Sequence, residues 1–258
     1  DLSQLNVQCF GGIGGNGRPY GGAGTVVRKT PSQTHGTLRV QNSAYGMLTE
    51  MSGEHIFDRV EVGPFSRVGP PAQDATFHLV AISDMVVESS GTITATWYGF
   101  PARQGPGAGG SSVNLGGGAG YGGRGGWGEG NNLLATSISG GPCYGNVYQP
   151  SAMGSGGGGT NGGAGGGVIR LSVGGSFVVD GIIESNGQPS PINDGCGGGA
   201  GGSIWIDAVA LAGTGTIRAN GGNGSYGGGG GGRIALDYQS DLSQLNVQCF
   251  GGIGGNGR

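Results

Sequence analysis

Few side chains in this sequence are spaced for chemistry, and the best placed are two carboxylates. Asp207 ends the segment IWID and Asp237 ends the similar segment IALD. If those segments lie on adjacent strands, the acids sit about 4.8 Å apart, where they could share a proton or hold Ca²⁺. Lys29 falls at the matching place of a third segment, and Ser172 interrupts the column on the other side. A charge ladder on a solvated surface is the competing reading. No histidine or arginine cluster accompanies the acids, so Asp207 and Asp237 stand as a Ca²⁺ candidate only, and no catalytic residue is assigned.

Other motifs fall short for definite reasons. Gly12-x-Gly14-x-x-Gly17 follows a strand-like NVQCF, but a dinucleotide-binding loop must open a helix that faces the pyrophosphate. The residues that follow, RPYGGAGT, cannot form one. The chain has no Gly-Lys-Ser/Thr, no Gly-x-Ser-x-Gly elbow and no Cys-x-x-Cys, and His35, His55 and His78 are scattered. No cofactor is implied. Cys143 and Cys196 lie in loop-like GGPCYG and DGCGGG and are the candidates for a disulfide, although spacing alone cannot settle pairing. Asn223-Gly224-Ser225 is a glycosylation sequon. Tyr121 and Trp127, with Tyr144, Tyr148 and Tyr226, stand among glycines as sugar-stacking platforms or as packing anchors.

The elements that must position these residues are short strands in a repeated pattern. Residues 1–18, DLSQLNVQCFGGIGGNGR, recur without change at 241–258, so the period from Asp1 to Asp241 is 240 residues. A fixed period implies stacked or polymeric architecture; an end duplicated on a single unit is the alternative. Within the unit, strand-pair segments occupy 166–187, 201–222, 231–252 and 22–43, with a degenerate copy at 77–99. Alternation of apolar and polar residues marks each strand as having one buried face. Alignment sets Ile169, Ile204, Ile234 and Val26 in one row and Ile183, Ile217, Val247 and Leu38 in another. The fold class expected is therefore all-β, a β-solenoid of stacked coils. In that register Cys9 and its copy Cys249 stack with Ser185 and Ala219 as small core residues. Leu5, Val7, Cys9, Ile234, Leu236, Val247 and Cys249 form the interface where one repeat runs into the next.

Composition bounds the rest. Glycine is 68 of 258 residues, against an ordinary share of roughly 7%, yet without the Gly-X-Y spacing of collagen. It is concentrated between strand pairs and in a long insertion over 97–166. Such tracts read either as flexible loops or as extended, polyproline-II-like segments packed where only glycine fits. The net charge of −3 and the single lysine give no electrostatic footprint for nucleic acid. No apolar run is long enough to enter a membrane.

The ordered set GGAGTVVRK, GFPARQGPGAGG, GYGGRGG, GGAGGGVIRLSV, DGIIESNG, GGGAGGSIWID, GTGTIRANGGNG and GGGGGGRIALDY resembles glycine-rich repeats of very large secreted and cell-surface proteins of bacteria and protists. Those proteins are described as adhesin-like with β-helix character. The resemblance spans nearly all of 20–240, rests on composition-driven motifs and carries over no catalytic residue. It implies an extracellular structural unit whose main partner is itself, in a filament or stalk. A glycan-binding adhesive module and a β-helix polysaccharide-degrading enzyme are the alternatives.

Overall fold

The computed structural model describes residues 7–15, 20–112, 115–128, 137–192 and 194–255. The first part of the unit folds into β1 (Thr25–Arg28), β2 (Thr37–Val40), β3 (Thr49–Glu50), β4 (Glu54–Phe57), β5 (Arg59–Val62), β6 (Arg67–Gly69), β7 (His78–Ala81), β8 (Met85–Val87) and β9 (Thr92–Thr94). A small ribbon follows, β10 (Ser111–Ser112) and β11 (Leu115–Gly116). The last third holds β12 (Val168–Val179), β13 (Ile182–Glu184), β14 (Ser203–Gly213), β15 (Thr216–Arg218), β16 (Arg233–Ser243) and β17 (Asn246–Gln248). No α-helix occurs among the described residues.

The longest parallel pairing is the triple stack β12, β14, β16, with its companion β13, β15, β17. Ile169 pairs with Ile204 and Ile204 with Ile234, all parallel. Ile183 pairs with Ile217 and Ile217 with Val247. Alternation decides which face is buried: Ile169, Leu171 and Val173 point inward from β12, while Arg170 between them faces out. The inward rows of both sheets meet in one apolar core that includes Leu79, Phe177, Ile183, Ile206 and Ile217. Fully burying a side chain of this size contributes about 1.5–3 kcal/mol. Each strand pair is joined by a tight turn, and at Gly213 that turn requires φ of +109°, a conformation only glycine adopts freely.

The expected β-solenoid is nevertheless not what forms. Among the described residues the strands are spread over a nine-stranded, a six-stranded and a two-stranded sheet, with no single coil that closes and repeats. The nine-stranded sheet is mixed and branches: β12 pairs with β14 on one side and with both β7 and β8 on the other. The 22–43 segment departs most. Instead of two parallel strands stacking on neighbouring tiers, β1 and β2 pair antiparallel with each other, Val26 opposite Arg39 and Val27 opposite Leu38. The chain reverses between them at Gly36, whose φ is +80°, and the Asp58 carboxylate clamps the turn by accepting from the His35 and Gly36 amides. Arg39 accordingly bonds Glu61 at 2.8 Å.

The glycine tracts form an ordered lattice beside the sheets. The amides of Gly197 and Ala200 donate to Gly158 and Ser155, those of Gly198 and Gly201 to Gly227 and Gly230, and those of Gly199 and Gly202 to Gln188 and Ser185. Each neighbour is thus met again after three residues, the pitch of a polyproline-II helix, which makes no internal hydrogen bonds. Every amide must then find a lateral partner, and only bare backbones come close enough. A methyl at Gly198 would overlap the Gly222 carbonyl oxygen. Tyr121, fully buried, anchors this lattice by packing at a tilted angle against the Tyr144 ring, centroids 4.8 Å apart, and bonding Ser203 at 2.6 Å.

Candidate functional site: the two copies of the repeated segment

The described parts of the two copies of the repeated segment, 7–15 and 241–255, sit at opposite edges of the sheet system. The second supplies the end of β16 and all of β17, which are edge strands, while the first runs beside the chain leading into β1 at the far edge. Around the second copy, Ala219, Gly221 and Gly224 donate to the carbonyls of Gln248, Phe250 and Ile253 at 2.8–2.9 Å. Gly252 donates to Gly229 at 2.7 Å, and Gly255 to Tyr226 at 2.9 Å. Two asparagine side chains complete the dock, Asn220 accepting from the Phe250 amide and Asn223 from the Ile253 amide. The first copy is held differently: Gly24 donates to Cys9 at 2.7 Å, Gly21 to Gly12 at 2.8 Å, and Gly11 to the Asn42 side chain at 3.1 Å.

Of the interface residues expected from sequence, Ile234 and Leu236 pack against the core, and Val7 and Val247 lie at the surface. Leu5 lies outside the described residues. Cys9 and Cys249 are not core residues: both are exposed, because each belongs to the outermost segment at its edge, whereas Ala219 and Ser185, one and two tiers inward from Cys249, are fully buried. Sequence reasoning missed Asn42, Asn220 and Asn223 as docking residues. For Asn42 and Asn220 the signal was present in the QN and AN that close second strands, as SN does at Asn186, whereas Asn223 stands among glycines with no such signal.

No family model, curated protein or solved structure matches this chain.

The other candidates are placed as follows. Asp207 and Asp237 are direct partners on β14 and β16, both exposed, along a groove of about 500 Å³. Among the described residues no third acid, cysteine or histidine joins them to make a metal-binding group. No disulfide joins Cys143 and Cys196: Cys143 is exposed, while Cys196 is buried with its thiol against the Asp194 carbonyl at 3.3 Å. Tyr121 offers no face to a sugar, whereas Trp127 is 61% exposed. Asn223 is exposed, with its side-chain oxygen engaged by Ile253.

The fold also assembles a polar chain that the scattered positions of its members conceal. His78 Nδ1 lies 2.7 Å from the Glu54 carboxylate and Nε2 lies 2.9 Å from Ser172 Oγ, across β4, β7 and β12. This is a nucleophile, base and orienting acid in hydrogen-bond reach. The backbone of β12 beside Ser172 offers no free amide to an oxyanion, because it is hydrogen-bonded through Arg170–Val173 on both sides, to β7 and to β14. Burial pushes the His78 pKa down, opposed by Glu54 and assisted by Arg170. The imidazole is therefore held neutral, with both nitrogens partnered.

Proposed function

We propose that this chain is a structural repeat of an extracellular filament or stalk, joined head to tail to further copies of itself, and that it is not an enzyme. The observation that carries this reading is that one identical segment is docked at two different places, once against 219–229 and once against 21–24, at opposite edges of the unit. A sequence suited to both edges is what a joint between successive units needs. The low charge of the chain and the lattice of bare backbones suit a material that stays assembled. Exposed sheet edges invite further strand pairing, and here the pairing partner is encoded in the repeat itself.

Negative-stain electron microscopy of the purified full chain and of native material tests this. Filaments with an axial repeat matching one 240-residue unit are expected. Monodisperse particles at every concentration, with no fibre in the native source, would refute it.

A further inference from the structure

The lattice contains a tier-to-tier contact that recurs three times. In the first, Gly202 and Gly199 donate to the carbonyls of Ser185 and Gln188, at 2.8 and 2.9 Å. In the second, Gly232 and Gly229 donate to Ala219 and Gly222, at 2.7 and 2.9 Å. In the third, Gly24 and Gly21 donate to Cys9 and Gly12, at 2.7 and 2.8 Å. All three have donors and acceptors spaced by three residues on antiparallel segments, as the three-residue screw requires. The carbonyls of Ser185, Ala219 and Cys9 thus hold equivalent places, and sequence alignment puts Cys249 in the same series.

Steric closure follows the same series. A methyl at Gly187 would overlap the Gly199 carbonyl oxygen, at Gly221 that of Gly229, and at Gly11 that of Gly21. At Gly251 it would come no nearer than 3.6 Å to Gly229, an ordinary contact. On the other side of the segment the pattern reverses. Gly222 is closed by Gln188 and Gly252 by Gly222, whereas nothing stands within 4 Å of a methyl at Gly12. Each copy is closed where the other is open. The hydrogen-bonding atoms are likewise disjoint: the second copy uses the carbonyls of Gln248, Phe250 and Ile253, and the first uses those of Cys9 and Gly12.

We infer that the second copy is the last tier of the unit, and that its open side takes Gly21–Gly24 of a second copy of this chain, with Gly24 donating to Cys249 and Gly21 to Gly252. One segment then serves both neighbours at once, in place of the head segment of the incoming unit. The exchange keeps the same residues and the same bonds, so it costs no contacts. Side chains at the joint gain cover, since Phe250 is 64% exposed where its counterpart Phe10 is 39%. The inference rests on the repeat reading above and specifies where the joint lies.

The experiment uses the full chain with Gly24→Cys, Cys9→Ser and Cys143→Ser. A methyl at position 24 lies 3.0 Å from the Cys9 Cβ, so the two segments must part by roughly 0.5–0.8 Å to reach the separation of a disulfide, and in the joint the same position faces Cys249 of another copy. Oxidation should give a ladder of covalent multimers on a non-reducing gel, and adding Gly251→Ala should abolish it without changing the melting temperature. With Cys9 retained, Gly24→Cys should instead close an intramolecular bridge, which shows that the substitution is tolerated. Filaments that form without the ladder, and form equally with Gly251→Ala, would overturn this joint and leave the repeat reading standing. No self-association in any form, the unmodified chain included, would remove both.

Discussion

Gly198 offers the sharpest test of the lattice, because a single methyl there separates two physical pictures. Its amide donates to Gly227 at 2.9 Å and its carbonyl accepts from Ala119 at 3.0 Å, with Gly222 donating to the adjacent Gly199 at 2.8 Å. In Gly198→Ala the methyl would overlap the Gly222 carbonyl oxygen, a backbone atom that no rotamer change can move. Relief needs a displacement of about 1 Å, which takes a bond of this length out of hydrogen-bonding range. Leaving a buried polar group unsatisfied costs about 1–3 kcal/mol, so losing two or three of these bonds costs about 2–9 kcal/mol. That is a large part of the roughly 5–15 kcal/mol by which domains are stable. Gly123→Ala is the matched control, since its methyl comes no closer than 3.5 Å to Gly231. Urea unfolding followed by circular dichroism should show a large drop in midpoint for Gly198→Ala and little change for Gly123→Ala. If the tracts were flexible loops, both alanines would be neutral or would stabilise by about 0.4–1 kcal/mol through the unfolded state. A neutral or stabilising Gly198→Ala refutes the packed lattice.

Two further outcomes follow from buried titratable groups. Burial pushes Tyr144 up to about 12, against the opposing hydrogen bond with Ser155. A phenol raised in the folded state contributes stability that is intact below its unfolded value near 10 and lost as pH climbs toward 12. The melting temperature should fall over that window, and Tyr144→Phe should flatten the fall; an unchanged alkaline limb in Tyr144→Phe would show that another group is responsible. His78 is lowered by burial, so its stabilisation is present above about 6.5 and is lost as pH falls through its folded value. Ser172, whose neighbouring β12 amides are already paired, should resist a fluorophosphonate probe, and labelling that disappears in His78→Gln would establish a reactive serine instead.

Much of this architecture follows from the order of residues alone. The 240-residue period is explicit in the sequence, and the pairing of Ile169, Ile204 and Ile234 can be read from it because slipping a strand by one residue would turn every apolar side chain out of the core. The partnership of Asp207 with Asp237, and of Glu184 with Arg218 at 2.7 Å, comes with that register. The antiparallel β1–β2 pair could not be read the same way. TVVR and TLRV are only four residues each, too short for alternation to distinguish parallel from antiparallel partners. The glycine tracts carry no side-chain pattern, so their three-residue repeat exists only in which backbone meets which. The same is true of Glu54, His78 and Ser172, which are remote in sequence, and of the cysteines, whose exposure depends on being at an edge. At the joint, the duplicated segment names the partner, while only the packed tiers show which atoms of that segment are already in use and which face remains for the next unit.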